Sequence, residues 1–95
     1  MSTTKQAWFV YIIETRCGLL YTGIATDVAR RFEEHLARFE GHTKKGARFF
    51  NGREPVAIRY QERCANRSAA SIREAQIKRL RVAQKRALMA AGSVT

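Results

Sequence analysis

Acidic residues are scarce in this chain. Eight Asp and Glu stand against eighteen Lys and Arg, for a net charge of +10, and Asp27 is the only aspartate. Two-metal phosphodiesterase centres gather several carboxylates. Here the only adjacent acids are Glu33 and Glu34, on what reads as a helix surface, so that architecture is excluded. Two histidines and two cysteines are too few and too scattered for a zinc site, which needs four close ligands. Cys17 and Cys64 form no CxxC motif and read as reduced thiols of a cytoplasmic protein. The longest apolar run, Trp8 to Ile13, is far too short to cross a bilayer. The polar start Met1-Ser2-Thr3-Thr4-Lys5 shows no apolar segment of a signal peptide. Neither a P-loop nor a serine-hydrolase elbow occurs. Any enzyme chemistry must therefore rest on Tyr, Arg, His and isolated Glu.

What is present is basic charge on a chain of one-domain length. The 95 residues leave room for a single core, and 45% hydrophobic residues suffice to build it. Arg dominates the basic set, and its planar fork suits phosphate oxygens. A polyanionic partner follows, nucleic acid ahead of a membrane surface. Residues 67–95 carry seven basic residues and one acid, Glu74 (+6), and residues 1–66 carry eleven basic and seven acidic (+4).

No repeat, low-complexity tract or linker interrupts the chain. Residues 8–13, apolar and rich in aromatic and β-branched types, predict a central strand buried on both faces. Gly18 marks a turn, and Leu19 to Ile24 predicts the second strand of a hairpin. Thr26 or Asp27 can cap a helix whose apolar stripe is Val28, Phe32, Leu36 and Phe39, ended at Gly41. Residues 42–54 read as a basic, glycine-containing loop. Pro55 opens a third strand, in which Val56, Ile58 and Tyr60 alternate with Ala57, Arg59 and Gln61. Asn66 or Ser68 can cap a second helix running to about Leu80, its apolar side formed by Ala69, Ile72, Ile77 and Leu80. A third spans about Val82 to Ala91, stopped by Gly92. The order β-β-α-β-α-α predicts an α+β fold, a small three-stranded antiparallel sheet flanked by helices.

Helical geometry places Arg31 roughly 100° and His35 roughly 60° from the centre of the first helix's stripe, as neighbours on one flank. Pattern alone makes them ordinary border residues. It likewise makes Glu74 a surface partner of Lys78, four residues on.

The residues themselves say more. Phe9-Val10-Tyr11 in the first strand and Tyr21-Thr22-Gly23 in the second resemble the paired motifs of the GIY-YIG nuclease superfamily. Arg31, ten places after Tyr21, and His35, four later, match the family's helix. Arg73-Glu74-Ala75-Gln76-Ile77-Lys78 matches its later helix at Glu74. Thr26, Asp27 and Arg30, with Lys45-Gly46-Ala47-Arg48 and Arg53-Glu54-Pro55-Val56, are similar to the bacterial stand-alone, YhbQ-like branch. The resemblance covers about residues 8–88 of one domain. Phe9 and Val10 replace the Gly and Ile of the first motif, and Thr22 replaces the Ile of the second.

The resemblance implies a metal-dependent endonuclease cutting phosphodiester bonds, in DNA before RNA, in repair or recombination. It gives Tyr21 the activation of water, assisted by Tyr11 or His35, and gives Arg31 the scissile phosphate. Glu74 becomes the ligand of one Mg²⁺ or Mn²⁺. Gly23 is expected to let backbone approach the substrate. A tyrosine titrating near pH ~10 serves as a base only if neighbouring positive charge depresses it. Two rival readings are a nucleic-acid-binding module that keeps the fold without catalysis and a structural accessory of a ribonucleoprotein; the intact Tyr-Arg-Glu set favours the enzyme. A shared cleft also requires Tyr11 and Tyr21 on one sheet face, hence an odd-numbered hairpin loop.

Lys44, Lys45, Arg48 and Arg53, with Arg59 or the third helix as a second flank, are the expected phosphate contacts. Log affinity for duplex DNA should then fall by roughly 0.9 per contacted phosphate for each log unit of salt. A fluorescence-anisotropy titration checks this, and neutralising the loop cations should weaken all sequences about equally.

Overall fold

The computed structural model describes residues 7–92; the polar start Met1 to Lys5 lies outside them. Three antiparallel strands, β1 (Trp8–Thr15), β2 (Leu20–Ala25) and β3 (Pro55–Cys64), form one sheet in the order β2-β1-β3. Helix α1 (Val28–Phe39) covers one face, and α2 (Arg67–Lys78) with α3 (Val82–Ala91) cover the other. This is the α+β arrangement expected from the sequence. No helix among the described residues is long and apolar enough to cross a membrane.

The central position of β1 explains its unbroken apolar run. Val10, Tyr11, Ile12 and Ile13 are all fully buried, alternately toward α2 and toward α1. The hairpin pairs Tyr11 with Gly23, Ile13 with Tyr21 and Glu14 with Leu20. Five residues, 15–19, close it, so the odd-loop condition holds and Tyr11 and Tyr21 share the α1 face. Asp27, rather than Thr26, caps α1 by accepting from Arg30 N at 3.0 Å. Asn66 caps α2 by accepting from Ala69 N at 2.8 Å.

Three expectations need correction. The simple alternation along β3 fails, because its register against β1 shifts between Ile12 and Ile13 and again between Glu14 and Thr15. One extra residue at each shift flips the side-chain sequence. Tyr60 consequently packs toward α2, and Ile58 packs toward α1. Helix α2 buries Ala70 and Ile77 and leaves Ile72 60% exposed, so the apolar side read from the sequence was rotated. Finally, the basic loop is not only a loop. Its Arg48–Phe50 segment forms a 3-10 turn that drives Phe50 wholly into the core.

Phe50→Ala should therefore lower stability by about 3–5 kcal/mol, and Ile72→Ala by less than about 0.5 kcal/mol. Urea unfolding measures both; comparable losses would mean that the α2 face is misassigned.

Candidate active site

The hairpin register sets the site. Tyr11 and Tyr21 stand diagonally on one face with ring centroids 6.3 Å apart. Between them lies Gly23, directly opposite Tyr11. A Cβ there would lie 2.5 Å from Tyr11 Oη and 3.0 Å from Tyr21 Cε2. Gly23 was expected to admit substrate to the backbone. The structure buries it instead beneath the tyrosines, where its missing side chain seats the two rings.

His35 is the second fixed point. It is fully buried, far from the border position that the helical pattern gives it. Its Nδ1 accepts from the Ala47 backbone N–H at 3.1 Å, and its Nε2 lies 2.9 Å from Tyr11 Oη. Nδ1 therefore carries no proton, so Nε2–H donates to the Tyr11 hydroxyl. His35 thus holds Tyr11 and has no free lone pair to offer it. Gly46 makes the contact with Ala47 attainable: at φ +85°, its Cα presses against the Glu34 carbonyl, which a Cβ would meet at 2.7 Å. Arg38 braces the same loop, donating to the carbonyls of Lys44 and Gly46 and, at 2.9 Å, to Asn51 Oδ1.

The charged groups complete the cleft. Arg31 donates to Glu34 Oε1 at 2.7 Å and stands close enough to Tyr11 and Tyr21 to favour their ionised forms. Glu74 lies 3.1 Å from Lys78 Nζ, as the helix pattern requires. Burial is the main cause that raises both tyrosine pKa values, with Glu74 a minor addition, and only 22% of the Glu74 side chain is exposed. The ion pair and a functional role are therefore compatible for this partly buried carboxylate. Among the described residues no three His, Cys, Asp or Glu side chains cluster as a metal cage. A lone carboxylate beside an open cleft suits a hard ion that keeps most of its waters, such as Mg²⁺ or Mn²⁺.

The family model of the GIY-YIG catalytic domain matches residues 7–87, the stretch that carries the two tyrosines, the arginine and the glutamate. The chain belongs to the GIY-YIG family. It is 47% identical over 89 residues to a UPF0213 protein of Desulfotalea psychrophila, a match covering 94% of this chain and 76% of that one. It is 38% identical over 87 residues to the UPF0213 protein YhbQ of Escherichia coli O127:H6, covering 92% and 81% respectively. The solution NMR structure of a UPF0213 protein from Bacillus halodurans is similar, with a TM-score of 0.53 and 28% identity, covering 88% of this chain and 83% of that one. GIY-YIG membership places the chain in a nuclease superfamily, a family that acts on nucleic acids.

The rest of this GIY-YIG site was less legible in the sequence. Phe49 and Phe50 form its aromatic floor, with centroids 5.2 and 5.0 Å from that of Tyr21, and Phe50 lies 4.4 Å from His35. The signal was an apolar pair inside a basic loop. Lys78, read only as an ion-pair partner, also lowers the pKa of Tyr21. Lys44, Lys45, Arg48 and Arg53 are all exposed, and Arg53 lies over the Phe49 ring at 4.7 Å, so the loop carries its charge against the cleft. Arg59 is instead engaged with Glu14 at 2.9 Å, as is Arg86 of α3 at 3.3 Å.

Burial, reinforced by Arg31 and opposed by Glu34, pushes His35 down from 6.5 to about 4. The unfolded chain therefore binds the proton more readily. The resulting stability is complete above about pH 6.5 and is lost as pH falls toward 4, by about 2–3 kcal/mol. The melting temperature should accordingly drop between pH 7 and 5. In His35→Gln that slope should disappear, even though the variant starts from a lower value.

Proposed function

We propose that the protein is an endonuclease that hydrolyses phosphodiester bonds in nucleic acid, DNA before RNA, with one Mg²⁺ or Mn²⁺ held by Glu74. The observation that carries the reading is the pairing of Tyr11 and Tyr21 on one sheet face, ring centroids 6.3 Å apart, with the charges of Arg31 and Glu74 near enough to act on both phenols. Hydrolysis requires a deprotonated water, neutralisation of the pentacoordinate phosphate and a path for the leaving alkoxide. The ion would supply charge neutralisation and a more acidic water. Arg31 neutralises the scissile phosphate from the opposite side of the cleft. Lys44, Lys45, Arg48 and Arg53 hold neighbouring phosphates.

Tyr21 is the better base of the two tyrosines. Burial raises both, but Tyr11 is pushed further and already accepts the His35 proton. Tyr21 is only partly buried and has Lys78 and Arg31 drawing its pKa down. Tyr11, fixed by His35, orients the attacking water through the hydroxyl proton that it keeps.

Two measurements test the reading. Glu74→Ala should abolish metal-dependent nicking of supercoiled DNA while leaving binding intact. It should change stability by no more than about 0.5 kcal/mol, because a helical i,i+4 pair to an exposed lysine contributes little. Because a raised tyrosine is almost wholly protonated at neutral pH, cleavage should rise about tenfold per pH unit between pH 7 and 9. Tyr21→Phe should lower the rate by about 10²–10⁴ and flatten that slope. Unchanged nicking in Glu74→Ala would remove Glu74 from the site, and no nicking by the unaltered chain would leave the non-catalytic binding module as the better account.

A further inference from the structure

A cleft opens at the end of the sheet where β2 leaves for α1. Its volume is about 310 Å³, and its lining includes Trp8, Ile24, Thr26, Arg30, Arg31 and Arg67. This is the lower end of the range for ligand clefts, about 300–1,000 Å³, and fits one small planar ligand. The floor is apolar, from Trp8 and Ile24, and the rim is cationic. Asp27 and Glu34 also line it, but both are engaged: Asp27 caps α1 at 3.0 Å, and Glu34 binds Arg31 at 2.7 Å and Arg30 at 3.6 Å.

Arg67 has a different status. It opens α2, where the helix dipole disfavours a cation, and it makes no ion pair with any described residue. Its guanidinium stands 5.7 Å from the Trp8 ring centroid. Trp8 itself, although it begins the central strand, is only partly buried. The guanidinium sits over the ring, so a base stacks on Trp8 as Arg67 moves from the ring to the phosphate, an aromatic–cation combination that takes a base by stacking and its phosphate by charge.

The cleft is also continuous with the candidate active site. Arg31 lines it and acts on Tyr11 and Tyr21. On α2, Arg67 and Glu74 are seven residues apart, hence on one side of the helix.

We propose that this cleft is a subsite for one unpaired nucleotide next to the cleaved phosphate, its base stacked on Trp8 and its phosphate on Arg67. The inference rests on the endonuclease reading and narrows its substrate class to strands that expose a base beside the cut: single strands, flaps or frayed ends. A paired base is stacked on both faces and reaches such a floor only by leaving the helix.

Trp8 is the only tryptophan, so its emission reports the subsite directly. The full chain is titrated in EDTA with a short oligothymidylate, an oligouridylate and a blunt DNA duplex. Emission should be quenched by at least one single strand, the stronger identifying deoxyribose or ribose, and far less by the duplex. Trp8→Ala should weaken single-strand binding about tenfold with little change for duplex. Should Trp8→Ala fold poorly, Arg67→Gln, at an exposed position, should lower the single-strand salt slope by about 0.7. Single strands that bind without altering Trp8 emission, or a duplex that quenches equally, would overturn the subsite. Cleavage with Mg²⁺ and no quenching removes the subsite and leaves the endonuclease reading; quenching without cleavage of any substrate does the reverse.

Discussion

One hydrogen bond from the backbone organises the site: Ala47 N–H to His35 Nδ1. It forces the imidazole proton onto Nε2, which then holds the Tyr11 hydroxyl. Three chain segments distant in sequence are thereby tied at one buried ring: β1, α1 and the 42–54 loop. A buried imidazole with both nitrogens satisfied is stable only while neutral. Hence its depressed pKa, and hence the need for Gly46, whose absent side chain lets the loop approach α1 closely enough to donate. Phe50 fills the space under the ring, so the same loop that carries cations outward carries the core's aromatic plug inward.

That packing sets the electrostatics of the cleft. An aromatic floor desolvates both tyrosines and drives their pKa values up. Positive charge must then be brought to the phenols by neighbours, and Arg31 and Lys78 are the residues that do so at Tyr21. Tyr21 sits where burial is partial and cations are near, and Tyr11 where burial is complete and a histidine proton already occupies its oxygen. Two tyrosines of the same motif pair are thus differentiated by environment alone.

The backbone plan was legible because local signals agreed with tertiary ones. The all-apolar β1, the Asp27 and Asn66 caps and the hairpin parity follow from residue type and period. What escaped the sequence was set by partners. The two register shifts in β3 depend on β1 across the sheet, so the alternation of Val56, Ile58 and Tyr60 misled. The rotation of α2 depends on the sheet beneath it, so Ile72 looked like core and is exposed. Tyr11, Tyr21, Arg31, His35 and Glu74 were singled out through resemblance, not period. Angular position alone made His35 a border residue, because the loop that buries it lies twelve residues away in sequence.

Glu74 shows why the two ways of reading need not exclude each other. A half-buried carboxylate near two phenols is unfavourable unless a cation stands beside it. Lys78, one turn on, supplies that cation at 3.1 Å, just as Glu34 supplies the counter-charge to Arg31 at 2.7 Å. Each reactive charge of the cleft therefore carries its own partner on its own helix, at a spacing that helical geometry guarantees. The ion pair that looked like an alternative to a functional role is the arrangement that lets an isolated acid persist in a chain of net charge +10 without collapsing onto Arg31. The acid and the arginine stand on separate helices, α2 and α1, each neutralised within its own helix.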